Sequence, residues 1–411
     1  MSTVTDVTPV DLSDSRSYVA GVPHAYLAHL RRNDPVHWQD EPGGPGFWAV
    51  MKYDDCVTVN RDYDRFSSAA HGTMPFELGE EEEAQQSLMM LNMDPPIHTR
   101  YRRLVNKGFT PRMVRDLEAS IHRSTDAILD EVVEKGEADF VTQISAELPL
   151  QVIAELLGVP QEDRHKMFEW SNRMVGNEDS EYQADADLAL ASAMELYAYA
   201  AELFAKKRID PHADLMSALT SVEIEGERLG DMELELFFLM LTVAGNETTR
   251  NLMSGAMHAF FQHPDQWQRL REDRSLLPTA VDEMLRFVSP VMNFRRTAMV
   301  DLTMSGTDVK AGDKVVFFHA SANRDENVFD SPDAFDIARD PNPHIAFGGG
   351  GPHFCLGTNL ARMEIRVMFE HLLDRVPDIR EDGEVQRLQS QFINGVKHLP
   401  VAFTPSARVG S

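Results

Sequence analysis

The feature that most constrains this chain is a run of four glycines, Gly348 to Gly351, that leads through a single cysteine into an amphipathic helix. The stretch reads Pro343-His-Ile-Ala-Phe-Gly-Gly-Gly-Gly-Pro-His-Phe-Cys-Leu-Gly-Thr-Asn-Leu-Ala-Arg-Met363. Glycines let the backbone pass close to a large flat ligand and adopt positive φ values that side chains disfavour. Cys355 then stands at the mouth of a helix that the apolar pattern carries to about Leu373. There the positive end of the helix macrodipole is expected to lower the thiol's pKa and give a thiolate able to bind a metal. An arbitrary lone cysteine is more often a buried small hydrophobe. That is the reading for Cys56 in Lys52-Tyr-Asp-Asp-Cys56.

With 411 residues and 43% apolar content, the chain is ample for a large buried core. No Ser/Gly-rich linker, internal repeat or low-complexity tract divides it, so one large domain over residues 1–411 is expected. The start, Met1 to Ser13, has no basic patch followed by an apolar run, and a cytoplasmic protein without a signal or anchor is expected. Apolar stretches such as Leu236 to Ala244 are about half of what a bilayer-spanning helix needs, so no membrane insertion is expected. Two cysteines cannot build a disulfide framework or a multi-cysteine metal site; metal binding through sulfur must use one of them. A net charge of -27 argues against nucleic acid as a partner.

Helical periodicity dominates, for example over Met113 to Val133, Ala186 to Lys207 and Met232 to His263, and the fold class is mainly α. A minor β component is expected at Pro35 to Trp38 and Gly46 to Tyr53, joined by a turn-rich segment, and at Thr307 to Phe318. The acidic segment Gly176 to Asp187 reads as a solvated interhelical loop, with a mobile lid over a pocket as the alternative.

Phe347, Gly351, His353, Cys355 and Gly357 together resemble the haem-binding signature of cytochromes P-450. One departure is visible: Phe347 stands one residue farther from the cysteine than in the commonest form, as though a glycine had been inserted. Other motifs follow in the family's order. Leu239-Met-Leu-Thr-Val-Ala-Gly-Asn-Glu-Thr-Thr-Arg250 resembles the oxygen-activation motif at Ala244, Gly245, Glu247, Thr248 and Thr249. By that resemblance, Ala244 and Gly245 leave a notch for dioxygen, Thr248 hydrogen-bonds the activated dioxygen, and Glu247 relays protons from solvent. An acid beside an alcohol in an apolar helix is costly to bury without a purpose; read alone, the pair would be a solvent-facing turn.

The resemblance further implies a P-450 fold, a single large helical domain with a long central helix over haem b, whose iron is held by the Cys355 thiolate. Glu283 and Arg286 resemble a structural Glu-x-x-Arg pair, completed by Arg339. His98, Arg102, Arg296 and His353 match positions that hold the haem propionates through charge-assisted hydrogen bonds. The implied reaction is monooxygenation of an apolar small molecule with O2 and two electrons from NAD(P)H. No flavin- or nicotinamide-binding fingerprint is present, so electrons must come from separate proteins. Resemblance to soluble bacterial members implies that these are a ferredoxin and its NAD(P)H-dependent reductase, serving a monomeric enzyme. Arg100, Arg103, Lys107, Arg112, Arg362 and Arg366 are candidates for a basic docking face.

Pocket walls are expected from Met74 to Met90, Phe168 to Met174, Phe238 to Ala244, Val291 to Phe294 and Phe392 to Val396, which suit a hydrophobic guest. The Ala-Gly-Asn-Glu-Thr-Thr and Gly-Gly-Gly-Gly-Pro-His variants resemble those of actinobacterial members that oxidise steroids, terpenoids or methyl-branched lipids, although family alone does not fix substrate. Two alternatives stay open: a haem-binding sensor or other non-catalytic haem protein, which would not need the Glu247–Thr248 pair, and a structural helical protein without haem.

Overall fold

The computed structural model describes residues 7–106, 109, 111–175, 179–181, 186–223, 226 and 228–409. The helices in chain order are α1 His24–Asn33, α2 Tyr53–Arg61, α3 Glu80–Gln86, α4 Ile97–Asn106, α5 Pro111–Asp130, α6 Glu147–Leu157 and α7 Arg164–Val175. They continue with α8 Ala186–Ile209, α9 Leu215–Ser221, α10 Asp231–Gln262, α11 Pro264–Glu272, α12 Leu277–Val288, α13 His319–Ala322 and α14 Thr358–Arg375. The long periodic segments of the sequence therefore become α5, α8 and α10, and the fold is mainly helical as expected.

Helix α10 is the spine. It starts where Gly230 N–H donates to the Glu233 carboxylate at 2.7 Å, satisfying a donor that the helix start leaves open. It stops at His263, because Pro264 cannot donate to a continuing ladder and opens α11 instead. Leu234, Phe237, Phe238, Leu252, Met253, Met257 and Phe260 along it are buried in the main core, and it packs against α6, α7, α8, α12 and α14.

Strands β1 Val36–Gln39, β2 Phe47–Val50, β3 Phe66–Ser67, β4 Glu137–Asp139, β5 Asn293–Ala298, β6 Leu302–Met304, β7 Thr307–Val309 and β8 Lys314–Phe318 make up most of the β component. The largest sheet has the order β1-β2-β8-β5-β3. The expected hairpin forms with Trp38 opposite Trp48, and β2 pairs parallel with β8. Thr307 to Phe318 does not run as one strand: it breaks at Gly312, whose φ is 94°, so β7 pairs with β6 while β8 joins the large sheet. Antiparallel pairing of β5 with β8 sets Arg296 opposite Val315 and places that arginine in the interior.

Glu283 and Arg286 on α12 are both fully buried, and they form a bidentate pair with two bonds of 2.7 Å. Arg286 spends its remaining donors on the carbonyls of Asn323, Pro332 and Ala334. Arg339 completes the set with a 3.1 Å bond to Glu283, as the resemblance implied. Asn342, not foreseen, donates to the same carboxylate at 3.1 Å. The cluster staples α12 to the segment that leads into the cysteine loop.

Candidate active site

Gly348, Gly349, Gly350 and Gly351 all have positive φ, at 94°, 62°, 100° and 83°. No other residue type takes four such values in a row without strain. The loop closes on itself where Cys355 N–H donates to the Phe347 carbonyl at 3.1 Å, so the extra residue is taken up before the cysteine and the closure still forms. Gly357 caps α14, and a Cβ on it would stand 4.0 Å from the Cys355 sulfur. The Phe347 ring is half-buried under the Arg362 guanidinium, 4.7 Å from the ring centre.

Cys355 is exposed, whereas Cys56 is fully buried, its thiol donating to the Val50 carbonyl at 3.4 Å. Yet burial pushes the Cys355 thiol up, against the pull of the Gly357 N–H, Thr358, Arg102 and Arg362. A sulfur whose surface is open while protein surrounds it faces an internal space. The expected lowering by the helix dipole is therefore outweighed by desolvation; a bound cation, not the helix end, is what deprotonates a thiol placed like this.

The four residues expected to hold the propionates come together beside the cysteine loop. The rings of His98 and His353 lie 4.3 Å apart, and His353 Nε2 is 3.1 Å from the Ser68 hydroxyl. Arg102 donates to the carbonyl of Phe354, next to the cysteine. Arg296 is buried, bonded to the Arg295 carbonyl at 2.7 Å and the Asn60 Oδ1 at 3.1 Å. Neither Arg102 nor Arg296 has an ion pair among the described residues. Burial, then Arg102, then Arg296 against a counter-pull from Asp94, bring His98 down to about 4; burial and Arg296 hold His353 well below its usual value. Both rings are neutral at neutral pH, so the positive charge of the cluster rests on the two arginines. Asp94, which the sequence reading did not single out, accepts from Ser67 and from the Ser68 N–H and lies close enough to support Arg296.

On α10, Ala244 is exposed and Thr248 half-buried in the middle of the helix, where the neighbouring turns are largely buried, so this turn opens on an internal space. Thr248 Oγ1 donates to the Ala244 carbonyl at 2.8 Å. Gly245 has a different task from the one expected: a Cβ there would meet Ile153 Cδ1 at 2.9 Å, so the missing side chain admits α6 and leaves no notch on that side. Glu247 is 2% exposed; its Oε2 pairs with Arg250, while its Oε1 has no hydrogen bond among the described residues. Burial raises its pKa despite Arg250. The solvent-facing alternative does not hold for Glu247, whose neighbours include Arg250 and Asn251, the latter's amide donating to the Glu247 carbonyl at 2.9 Å.

Of the expected pocket walls, the two last meet: Val291 bridges Ile393, and the Phe294 and Phe392 rings stand 5.4 Å apart. Phe238 is instead fully buried against Tyr199 and Phe204, because it faces α8. Part of Met74 to Met90 is the acidic, largely exposed helix α3. In the acidic segment, Asp179 is 1% exposed and bonded to Lys397 and the Gln389 N–H, both at 2.9 Å, so this point is neither a solvated loop nor free; most of the remaining residues lie outside the described ones.

An open thiol beside two arginines without carboxylate partners and two neutral imidazoles fits a flat dianionic metal macrocycle: sulfur for the metal, cations and N–H groups for its carboxylates. The cytochrome P450 family pattern matches residues 166–377. The chain is 43% identical over 407 residues, 97% of its length and 94% of the relative's, to a steroid C26-monooxygenase of Mycolicibacterium smegmatis. It is 41% identical, over 92% of this chain and 90% of the relative, to a methyl-branched lipid omega-hydroxylase of Mycobacterium tuberculosis. A Mycobacterium marinum cytochrome P450 in complex with pseudoionone superposes with a TM-score of 0.89 at 37% identity, covering 98% of this chain and 100% of that one. The chain belongs to the cytochrome P450 family and is a monooxygenase whose haem iron is held by a cysteine thiolate.

Proposed function

We propose that this enzyme hydroxylates the terminal carbon of a methyl-branched aliphatic chain carried by a steroid or a lipid, with Cys355 as the thiolate ligand. The open Cys355 sulfur, with Arg102 beside it and no ion pair to Arg102 or Arg296 among the described residues, carries the ligand assignment. The substrate class rests on what the two named relatives share: C26 of a steroid side chain and the omega carbon of a branched lipid are both chain-terminal positions. The aromatic pair Phe294 and Phe392 supplies an apolar wall consistent with such a chain.

Bound haem would supply activation of dioxygen and insertion of one oxygen atom into a C–H bond, the other leaving as water with two electrons from NAD(P)H. Arg102 and Arg296 would hold its propionates by charge-assisted hydrogen bonds, with His98 and His353 as neutral donors. Phe347 and Gly357 frame the thiolate, and Ala244 leaves room for dioxygen. Glu247, whose buried carboxyl has its pKa raised by desolvation, is the proton carrier toward the Thr248 hydroxyl. The single domain over residues 1–411 belongs to the same proposal; β1 and β2 from the first fifty residues pair into the sheet that β8 completes.

Electrons come from a redox partner, which we take to be a ferredoxin with its NAD(P)H-dependent reductase. Arg362 pairs with Asp282 and Arg366 with Glu118 and Glu370, so these two contribute little free charge to a docking face; Lys107 lies outside the described residues. Exposed Arg103 on α4 and Arg112 on α5 remain, with Phe354 exposed beside the cysteine. The substrate reading is tested by titrating the haem-loaded enzyme with a sterol bearing its branched side chain, a methyl-branched fatty acid and their unbranched counterparts. A spin-state shift with the branched ligands, and product hydroxylated at the chain terminus by mass spectrometry, is expected. Oxidation confined to ring carbons, or no shift with any branched ligand, would refute it.

A further inference from the structure

The carbonyls of the glycine loop do not point into solvent. They are taken by two adjacent side chains at the end of α2, some 288 residues earlier in the chain. Asn60 Nδ2 donates to the Gly348 carbonyl and, at 3.1 Å, to that of Gly350. Arg61 donates to the carbonyl between them, Gly349, from Nε at 2.8 Å and from Nη2 at 2.5 Å. Three successive carbonyls are thus captured in order. The fit is close enough that a Cβ on Gly350 would lie 2.9 Å from the Arg61 guanidinium, and one on Gly351 would lie 3.0 Å from the Arg61 backbone.

Asn60 does one thing more. Its Oδ1 accepts from Arg296 Nη2 at 3.1 Å, and the side chain is 6% exposed. One buried amide therefore joins the arginine assigned to a propionate with the loop that carries the assigned iron ligand, and both its N–H groups and its oxygen are engaged. A run of four glycines has more backbone freedom than any other tetrapeptide, and here it is one residue longer than the usual signature. Something outside the loop must fix it, and Asn60 with Arg61 supplies the side-chain hydrogen bonds from α2 to these glycines, with Val57 packed beside Gly349.

We propose that Asn60 and Arg61 are positioning residues for the thiolate: by clamping the carbonyls of Gly348 to Gly350 and linking them to Arg296, they fix the Cys355 sulfur relative to the haem carboxylates. The clamp thereby sets the strength of the iron–sulfur bond and the midpoint potential of the iron, through the outer-shell contacts that tune a metal site. This inference rests on the haem-thiolate reading above.

The test uses full-length, haem-loaded protein and the variants Asn60→Leu, Asn60→Asp, Arg61→Ala and Arg61→Lys. Haem affinity, midpoint potential and the spectrum of the reduced carbon monoxide complex are read alongside thermal unfolding. Asn60→Leu is expected to weaken haem retention by about tenfold or more and to convert the strongly red-shifted carbon monoxide complex to the shorter-wavelength form. Asn60→Asp keeps the acceptor for Arg296 and loses the donors to the loop, so it should fail in the same way. Arg61 is exposed, so Arg61→Ala should fold even if Asn60→Leu does not; it should shift the potential, and Arg61→Lys, which keeps one donor for Gly349, should recover most of the shift. Wild-type spectra, potential and haem retention in Arg61→Ala and Asn60→Asp would overturn the clamp. A wild-type protein lacking the red-shifted band would instead overturn the haem-thiolate reading on which the clamp depends.

Discussion

Glu283→Ala is expected to destabilise the enzyme by about 3–5 kcal/mol, the range for removing one partner of a buried charge pair. The carboxylate it removes is fully buried and serves Arg286 twice at 2.7 Å, Arg339 at 3.1 Å and Asn342 at 3.1 Å. Arg286, also fully buried, would keep its carbonyl partners and lose its counter-charge. Against a net stability of about 5–15 kcal/mol, this is a large fraction. The damage should also reach the haem, because Arg339 and Asn342 lie in the segment leading into the cysteine loop. Thermal unfolding and haem content of the purified variant decide it: a melting curve and haem content equal to wild type would show that the cluster does not hold the loop.

Glu247→Gln should lower the rate of product formation by about 10²-fold or more, the lower end for loss of a positioned proton carrier. Each turnover that releases one oxygen atom as water consumes two protons, and Glu247 is a buried acid directly preceding Thr248 on α10. Its carboxyl is buried beside Arg250 and Asn251, with its pKa raised by desolvation above that of a surface glutamate, which favours proton uptake and release there. The glutamine keeps the shape and the hydrogen bonds but not the exchangeable acid. Substrate-induced spin shift should be unchanged, and the slowed rate should show a larger solvent isotope effect than wild type. A variant with wild-type turnover would exclude Glu247 from proton delivery.

The parts of this structure that were legible in the sequence are those written in local spacing. Cys355 two residues before the Gly357 cap, α14 beyond it and the three-residue step from Glu283 to Arg286 are all fixed within one turn of chain. Arg339 could be assigned only through order along the chain, and it falls in place. The misreadings have one cause: which face of a helix meets which neighbour is not a local property. Gly245 was read as leaving a notch for dioxygen but yields to Ile153, Phe238 was read as pocket but packs under α8, and Arg362 and Arg366 were read as candidates for a basic docking face but are paired across helices. The sign of the Cys355 shift was missed for the same reason, since the helix start is visible in sequence and the enclosing protein is not. Asn60 and Arg61 gave no signal at all, because they end an ordinary amphipathic helix far from the loop that they hold.

The most direct test of the account is the absorption spectrum of the dithionite-reduced, carbon monoxide-bound protein, recorded for wild type and for Cys355→Ala. Ligation by the Cys355 thiolate predicts a Soret band shifted strongly to the red in wild type and absent from the variant. A wild-type band at the shorter wavelength of histidine-ligated haem, or a red-shifted band that survives in Cys355→Ala, would contradict the assignment of Cys355 and the site built around it.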